Sequence, residues 1–489
     1  MIFLLALPAF AGDFLDTWVT TSLEEDNILA GPEAYSPSPN FVMRGNNTFF
    51  ENYENRFTDD ISSTHLVVYR RDEGFDPRWL TEAAFVLRMQ PYLNPDNTEP
   101  GVKVADDGSY VRVARKFGGR NDHTLSLTGY AVDANRFRLG YSYDLTWGGR
   151  DIYAFDPSAA PGARLQYQNG PHSAFVGVKT AVGDYTDPTT GITRNQAYWA
   201  ALAGGGVEIA KLFRVDAGAG WFQQGQLTNV ADTTSVLYNA PIIATGGCAQ
   251  LSFRTTDKID FVSSSELKLY RNAPEFVRES YISHRKVEGF GLLVQGEVNV
   301  LAHNLIDPEN IDATLVETAV AGDVQALAIF GTTEIGLDLV YKDLPYILFN
   351  VPGITSGYGI SPNIETTPQQ YVRASASHWF EKAHLTPSVG VGYMIPATYK
   401  TSTGTFVQYS ERDKSNVPDG FPAAALLSGV VGLQWDISKS MVGVGEVLYT
   451  LDNNKSTFVQ EDGSVGKNIQ APANWRNELG FNIMLRARF

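Results

Sequence analysis

Residues 480–489 read "GFNIMLRARF", and in them Phe481, Ile483, Leu485, Ala487 and Phe489 alternate with Asn482, Met484, Arg486 and Arg488. Alternation with a period of two puts one set on each face of an extended strand, because successive side chains point to opposite sides. One face is apolar and the other carries cations, so the strand separates a greasy surface from a polar one.

The same period recurs along the chain. In "RFRLGYSYDLTW" (136–147), Phe137, Leu139, Tyr141, Tyr143, Leu145 and Trp147 oppose Arg136, Arg138, Gly140, Ser142, Asp144 and Thr146. In "LFRVDAGAGWF" (212–222), Phe213, Val215 and Trp221 oppose Arg214, Asp216, Gly218 and Gly220. Similar windows begin at Glu288, Thr333, His384 and Leu427. Each runs about 10–12 residues, the length a tilted strand needs to cross a bilayer core and about twice the usual soluble strand. Seven tryptophans, Trp79, Trp147, Trp199, Trp221, Trp379, Trp435 and Trp475, fall near window ends, where an interfacial girdle would place them.

Composition agrees. The chain has 489 residues, 43% of them hydrophobic, with 45 glycines, 12% aromatics and one cysteine, Cys248, so no internal disulfide supports it. A net charge of -16 lacks the basic face that nucleic acid requires. The sole nearly continuous apolar run, "MIFLLALPAFAG", reads as an export signal over 1–11, with the mature chain starting near Gly12. It is shorter than such signals usually are and has no preceding basic residue, as when its basic part lies upstream of Met1; a buried N-terminal segment is the other reading.

Tight turns near 133–135, 168–172, 210–211, 380–383 and 436–440 alternate with long connections at 148–161, 183–196, 343–369, 396–423 and 452–473. Nineteen strand candidates result, the first at 62–71. A closed wall needs an even number, and the conflict falls within 224–286, where 258–270 either is no full crossing or a strand near "SVLYNAPIIATG" goes uncounted. The fold expected is all-β, a single transmembrane antiparallel up-and-down β-barrel of about 18 strands, with roughly 16–20 allowed. It would occupy 61–489, with 12–60 a leader beneath the barrel or inside its lumen.

The terminal run resembles the assembly signal of Gram-negative outer-membrane β-barrel proteins, with Phe481, Ile483, Leu485 and Phe489 at its apolar positions. That resemblance implies insertion by the outer-membrane assembly machinery, outer-membrane lipid and lipopolysaccharide as surroundings, a homo-oligomer as one arrangement, and a porin-like barrel. Phe489 would then close the wall against 62–71.

Facing inward on these strands are Arg136, Arg138, Asp144, Arg214, Asp216, Glu297, Glu334, Asp338, Arg486 and Arg488, a mixed-charge set suited to lining a diffusion pore or, equally, to pairing into a filled polar core. In loop 343–369, Tyr346, Ile347, Leu348 and Phe349 are apolar where a wet loop is expected, which suits either a constriction folded into the lumen or packing among outer loops. His378 and His384 flank one turn but lack further ligands for a metal. No Gly-x-Ser-x-Gly elbow or phosphate loop occurs, so neither an enzyme nor a cofactor is expected. The function expected is passive diffusion of small hydrophilic solutes. A transporter of hydrophobic substrates and an adhesive or structural barrel are the alternatives.

Overall fold

A computed structural model describes residues 16–25, 27–29, 61–93, 100–106, 108–134, 137–142, 145–148, 161–186, 190, 192–227, 235, 237–238, 240–259, 261, 286–348, 357–401, 404–409, 414–460 and 466–488. Eighteen antiparallel staves close into one barrel. They are β1 (Asp16–Glu25), β2 (Ile61–Glu73), β3 (Trp79–Leu93), β4 (in two segments, Pro100–Asp106 and Tyr110–Phe117), β5 (Arg120–Tyr130) and β6 (Gly162–Asn169). Then follow β7 (His172–Thr186), β8 (Thr193–Ile209), β9 (Phe213–Gln226), β10 (Pro241–Arg254), β11 (Val287–Asp307) and β12 (Asn310–Gly331). The last six are β13 (Thr333–Lys342), β14 (Gln369–His378), β15 (Leu385–Ile395), β16 (Leu426–Ser438), β17 (Met441–Leu451) and β18 (Asn477–Arg488).

Each stave pairs with its neighbours in sequence, and β18 pairs with β1, Leu485 opposite Thr21 and Ile483 opposite Leu23. Closure leaves no unpaired edge to recruit other strands. The lipid-type face is plain along β18: Ile483 and Leu485 are exposed, whereas Asn482, Met484 and Arg486 are buried. The same holds on β16, with Leu427, Val431, Leu433 and Trp435 exposed and Ser428, Val430 and Asp436 buried. A wall that is apolar outside and mixed inside is the inverse of a soluble core, and is stable in hydrocarbon because its backbone pairs from stave to stave around the ring. Among the described residues no helix is long and apolar enough to cross a membrane.

One rim carries tight turns. Gly118 and Gly119 connect β4 to β5 with φ of 61° and 70°, the two left-handed residues a type I′ hairpin needs. Ala210 and Lys211, at 52° and 59°, make the same turn without glycine between β8 and β9. The opposite rim carries long loops, two of which together form a small four-stranded sheet, Thr366–Thr367 from one and Ala397–Lys400, Phe406–Tyr409 and Lys414–Asn416 from the other.

The total of eighteen is reached differently from the sequence expectation. Asp16–Glu25, expected within the leader, is a wall strand, so the wall begins before residue 61 and β18 closes on 16–25, not on 62–71. "DTWVTTSLEE" hides because polar residues stand on both its faces. Segment 136–147 is not a stave: β5 ends at Tyr130 and β6 begins at Gly162. Most of 258–270 lies outside the described residues, as do 1–11 and 31–60. The parity conflict has a simple cause: the turn rim carries one long connection, 255–286, while the loop rim carries a two-residue turn at 308–309, where Asp307 pairs with Asn310.

Candidate functional site

After Tyr130 the chain turns into the barrel. Phe137, Leu139, Tyr141, Leu145 and Trp147 are all at or below 5% exposed, so the apolar face expected to meet lipid is packed inside the lumen. Trp147, at 0%, belongs to no interfacial girdle. Leu139 and Trp147 exchange backbone hydrogen bonds, both 3.0 Å, which closes the segment into a narrow strap.

The strap lies along a glycine groove on the inner wall. A Cβ at Gly177 would sit 2.5 Å from Phe137 Cε1, one at Gly218 2.9 Å from Leu139 Cδ2, and one at Gly246 2.9 Å from Trp147 Cη2. Only hydrogen in place of a side chain lets the rings approach that closely. Phe137 also stacks on Tyr130, centroids 6.2 Å apart and planes within 10°, and meets Phe175 edge-on at 5.9 Å. Trp147 packs on Phe222 at 5.4 Å.

Polar wall residues satisfy the strap's backbone. Glu297, on β11, accepts the Tyr141 N–H at 3.0 Å and also accepts the Ser142 N–H. Asn299, two residues on, donates to the Leu145 carbonyl at 2.5 Å and to the Tyr346 hydroxyl at 3.0 Å. Lys179 on β7 donates to the Phe137 carbonyl at 2.7 Å and the Ala134 carbonyl at 3.3 Å. Hydrogen bonds to a charged partner are about twice as strong as neutral ones, so Glu297 and Lys179 are the main fastenings.

Tyr346 comes from the second inward element, helix α1 (Leu344–Leu348). Its hydroxyl donates to the Leu145 carbonyl, which joins the two inward segments. Asp343 starts the helix by accepting the Tyr346 N–H at 2.8 Å, and its other oxygen accepts the Val320 N–H at 2.8 Å. Burial pushes the Asp343 carboxyl up to about 6. Leu344 and Ile347 are buried with it, Leu348 is half-buried, and Phe349 lies outside the described residues.

Charge around the wall is sorted by sector among the described residues. On β3–β10 the shielded inward cations are Arg88, Lys116, Arg164, Lys179, Arg214 and Arg254, against Glu82 and Asp216. On β11–β18 the shielded acids are Glu297, Asp323, Asp436, Glu446 and Glu478, against Lys342, Arg373 and Arg486. Several are locally paired, Arg214 with Asp216 at 2.8 Å, Arg373 with Asp338 at 2.7 Å and Arg254 with Glu208 at 2.9 Å. The two sectors still differ in sign, basic against acidic.

Of the residues expected to line the lumen, Arg214, Asp216, Glu297 and Arg486 are inward and buried, while Glu334 and Asp338 are inward and half-buried. Arg138 is buried on the strap, not on a stave; Arg136 and Asp144 lie outside the described residues. Arg488 is half-buried at the end of β18, and Phe489 is not among the described residues. Sequence reasoning missed the apolar part of the inner wall: Val430, Val442, Val444, Leu448 and Met484 all point inward. A signal existed in "MVGVGEV", where the valines alternate with Gly443 and Gly445, residues that cannot supply a lipid-facing band.

No protein-family model matches the chain, and no curated protein matches it. Among solved structures, the chain is similar to OpdK of Pseudomonas aeruginosa solved with vanillate, at 9% identity and a TM-score of 0.45, over 97% of this chain and 98% of that one. It is also similar to OccAB2 of Acinetobacter baumannii, at 7% identity and a TM-score of 0.46, over 98% of this chain and 99% of that one. For OmpT, an outer-membrane protein of Vibrio cholerae, identity is 9% and the TM-score 0.36, over 97% of each chain.

Proposed function

We propose that the protein is an outer-membrane channel through which small hydrophilic solutes diffuse passively along a narrowed, charged bore. The observation that carries this reading is the strap of residues 137–142 and 145–148, fastened to the inner wall by Glu297, Asn299 and Lys179. A barrel that served only as an anchor would have no use for an ordered segment narrowing its interior. Sorting of basic and acidic residues to different sectors supports the reading, since it sets a field across the bore that orients charged solutes and replaces part of their hydration. Arg164, Arg214, Glu297, Asp338 and Arg486 are the residues assigned to that lining. The tight-turn rim then faces the periplasm, the loop rim faces outward into lipopolysaccharide, and the outward apolar band contacts lipid.

Planar-bilayer recording of the refolded chain is the test. Stepwise currents that scale with salt are expected, and a silent barrel would sink the proposal. The inward apolar strip on β16–β18 favours a second reading, uptake of solutes with a hydrophobic part. Liposome swelling with a series of solutes of equal size and rising apolar area separates the two: rates fall along the series for a hydrophilic channel and rise for the alternative.

A further inference from the structure

Arg115 stands exposed on the outward face of β4, in line with Val111 and Val113, while Ala114 and Lys116 on either side of it are buried. Strand register sets Trp79 of β3 directly opposite it. Its guanidinium carbon lies 5.9 Å from the centre of the Trp79 ring and 5.5 Å from that of Phe117. Phe117 in turn meets the His123 ring at 4.9 Å, and His123 Nε2 is 3.1 Å from the Tyr167 hydroxyl, so an aromatic belt crosses β3–β6 at the turn rim. Elsewhere on that rim the belt is ring against ring, Phe213 on Phe253 and Phe290 on Phe330, both at 4.9 Å. At Arg115 a cation is set into it.

The charges around Arg115 cancel. Arg70 is paired with Asp72, Arg78 with Asp76 at 2.5 Å, and Arg120 with Asp122 at 2.6 Å. Asp76, which senses Arg115, is gripped by Arg78 through both of its oxygens. Among the described residues no carboxylate forms an ion pair with Arg115, whose contacts are the two rings. Rings fix where the guanidinium sits and leave its N–H groups to find an acceptor at the edge of the lipid-facing band.

We propose that Arg115, flanked by Trp79 and Phe117, binds the phosphate of an anionic phospholipid, with phosphatidylglycerol as the occupant. A guanidinium is a planar fork that meets two phosphate oxygens at once and tolerates rings beside it. The acyl chains then lie along Val111, Val113, Leu125 and Leu127, all exposed on the outward face of β4 and β5. A zwitterionic headgroup fits less well, because the neighbouring carboxylates Asp72, Asp76 and Asp122 are already paired and offer its cation nothing. General attraction does not favour an anionic lipid either, since the chain carries a net charge of -16. From the channel reading the proposal takes only the leaflet: with the tight-turn rim in the periplasm, the lipid belongs to the inner leaflet. Conduction plays no part, so binding is tested apart from it.

The probe is phosphatidylglycerol, added to the refolded full-length protein in nonionic detergent micelles, with the lipid retained on the barrel counted by native mass spectrometry. Phosphatidylcholine with the same chains is the reference. Retention of phosphatidylglycerol is expected to be about fivefold greater, the worth of one basic residue at an anionic surface, and Arg115→Gln to abolish the preference. Arg115→Lys keeps the charge without the fork and is expected to fall between. Lys211→Gln, which removes an exposed cation from a tight turn on the same rim, should change nothing, and sn-glycerol 3-phosphate, which has the phosphate without the chains, should not displace the lipid. If Arg115→Gln fails to give the folded, heat-modifiable species, Arg115→Lys decides, and a preference undiminished in it overturns the site. Equal retention of the two lipids, a preference that survives Arg115→Gln, an equal loss in Lys211→Gln, or displacement by glycerol phosphate would each overturn it as well. A barrel that retains phosphatidylglycerol yet conducts nothing would refute the channel and leave the site standing.

Discussion

Glu297 on the barrel wall and Tyr141 in the inward strap are 156 residues apart in sequence and joined at 3.0 Å, the carboxylate accepting the backbone N–H. The contact explains why an acidic residue stands in the interior at that height. It holds a backbone turn that would otherwise leave two amide donors unmatched, since Ser142 donates to the same group.

Replacing Glu297 with alanine should therefore loosen the strap before it unfolds the barrel. Each orphaned N–H costs about 1–3 kcal/mol, enough to populate an undocked strap. Single-channel records of Glu297→Ala are expected to show larger mean conductance and frequent flicker between levels. A trace as quiet as the wild type would mean that the strap is held elsewhere.

The groove makes a second demand. Gly177→Ala would set a methyl 2.5 Å from Phe137 Cε1 and 2.6 Å from the Ala163 carbonyl, a backbone atom that cannot swing aside. Overpacking of this kind costs about 1–3 kcal/mol, so the urea midpoint of the refolded protein should drop. The paired change Gly177→Ala with Phe137→Leu should recover part of the loss. Recovery that fails to appear would place the strain in the wall alone.

Ion selectivity tests the sorted charges. Arg164 is 7% exposed in the basic sector. Arg164→Gln removes one inward cation there, and reversal potentials in a tenfold potassium chloride gradient should move toward cation preference. An unchanged reversal potential would show that the sector does not act on permeating ions.

Asp343 gives a pH signature. Its carboxyl is raised from 3.8 to about 6 by burial, so the folded form holds its proton where the unfolded form has released it. The stability this group contributes is present below about pH 4 and is lost as pH rises through about 6. Thermal midpoints measured from pH 4 to pH 7 should decline over that span, and Asp343→Asn, which keeps an oxygen for the Tyr346 N–H, should flatten the decline. An equally steep slope in the variant would assign the effect to another carboxylate.

The wall was largely legible from sequence because lipid imposes a simple demand: Phe481, Ile483 and Leu485 must face outward, and a period of two follows. The strap deceived for the same reason. Its sequence 136–147 alternates as cleanly as any stave, since Phe137, Leu139, Leu145 and Trp147 are packed against the inner wall and not against lipid. Period reports that two environments exist, not which of them is lipid. Strand β1 failed in the opposite way, because Thr20 and Ser22 face inward while Thr21 stands on the outer face beside Leu23, and hydroxyls on both sides erase the contrast. Arg115 interrupts the outward row of Val111 and Val113, and only the register that sets Trp79 opposite it gives the interruption a meaning.

The seam between β1 and β18 carries a kinetic consequence. Arg486 Nε donates to Thr20 Oγ1 at 2.7 Å across 466 positions of chain. Sixteen staves can meet neighbours as they follow one another, but this last pairing waits for nearly the whole polypeptide. Loops that long are slow to close and leave raw strand edges exposed meanwhile. Nascent β1 must therefore be shielded from premature partners, and its hydroxyl-rich, weakly apolar face suits a strand that has to wait.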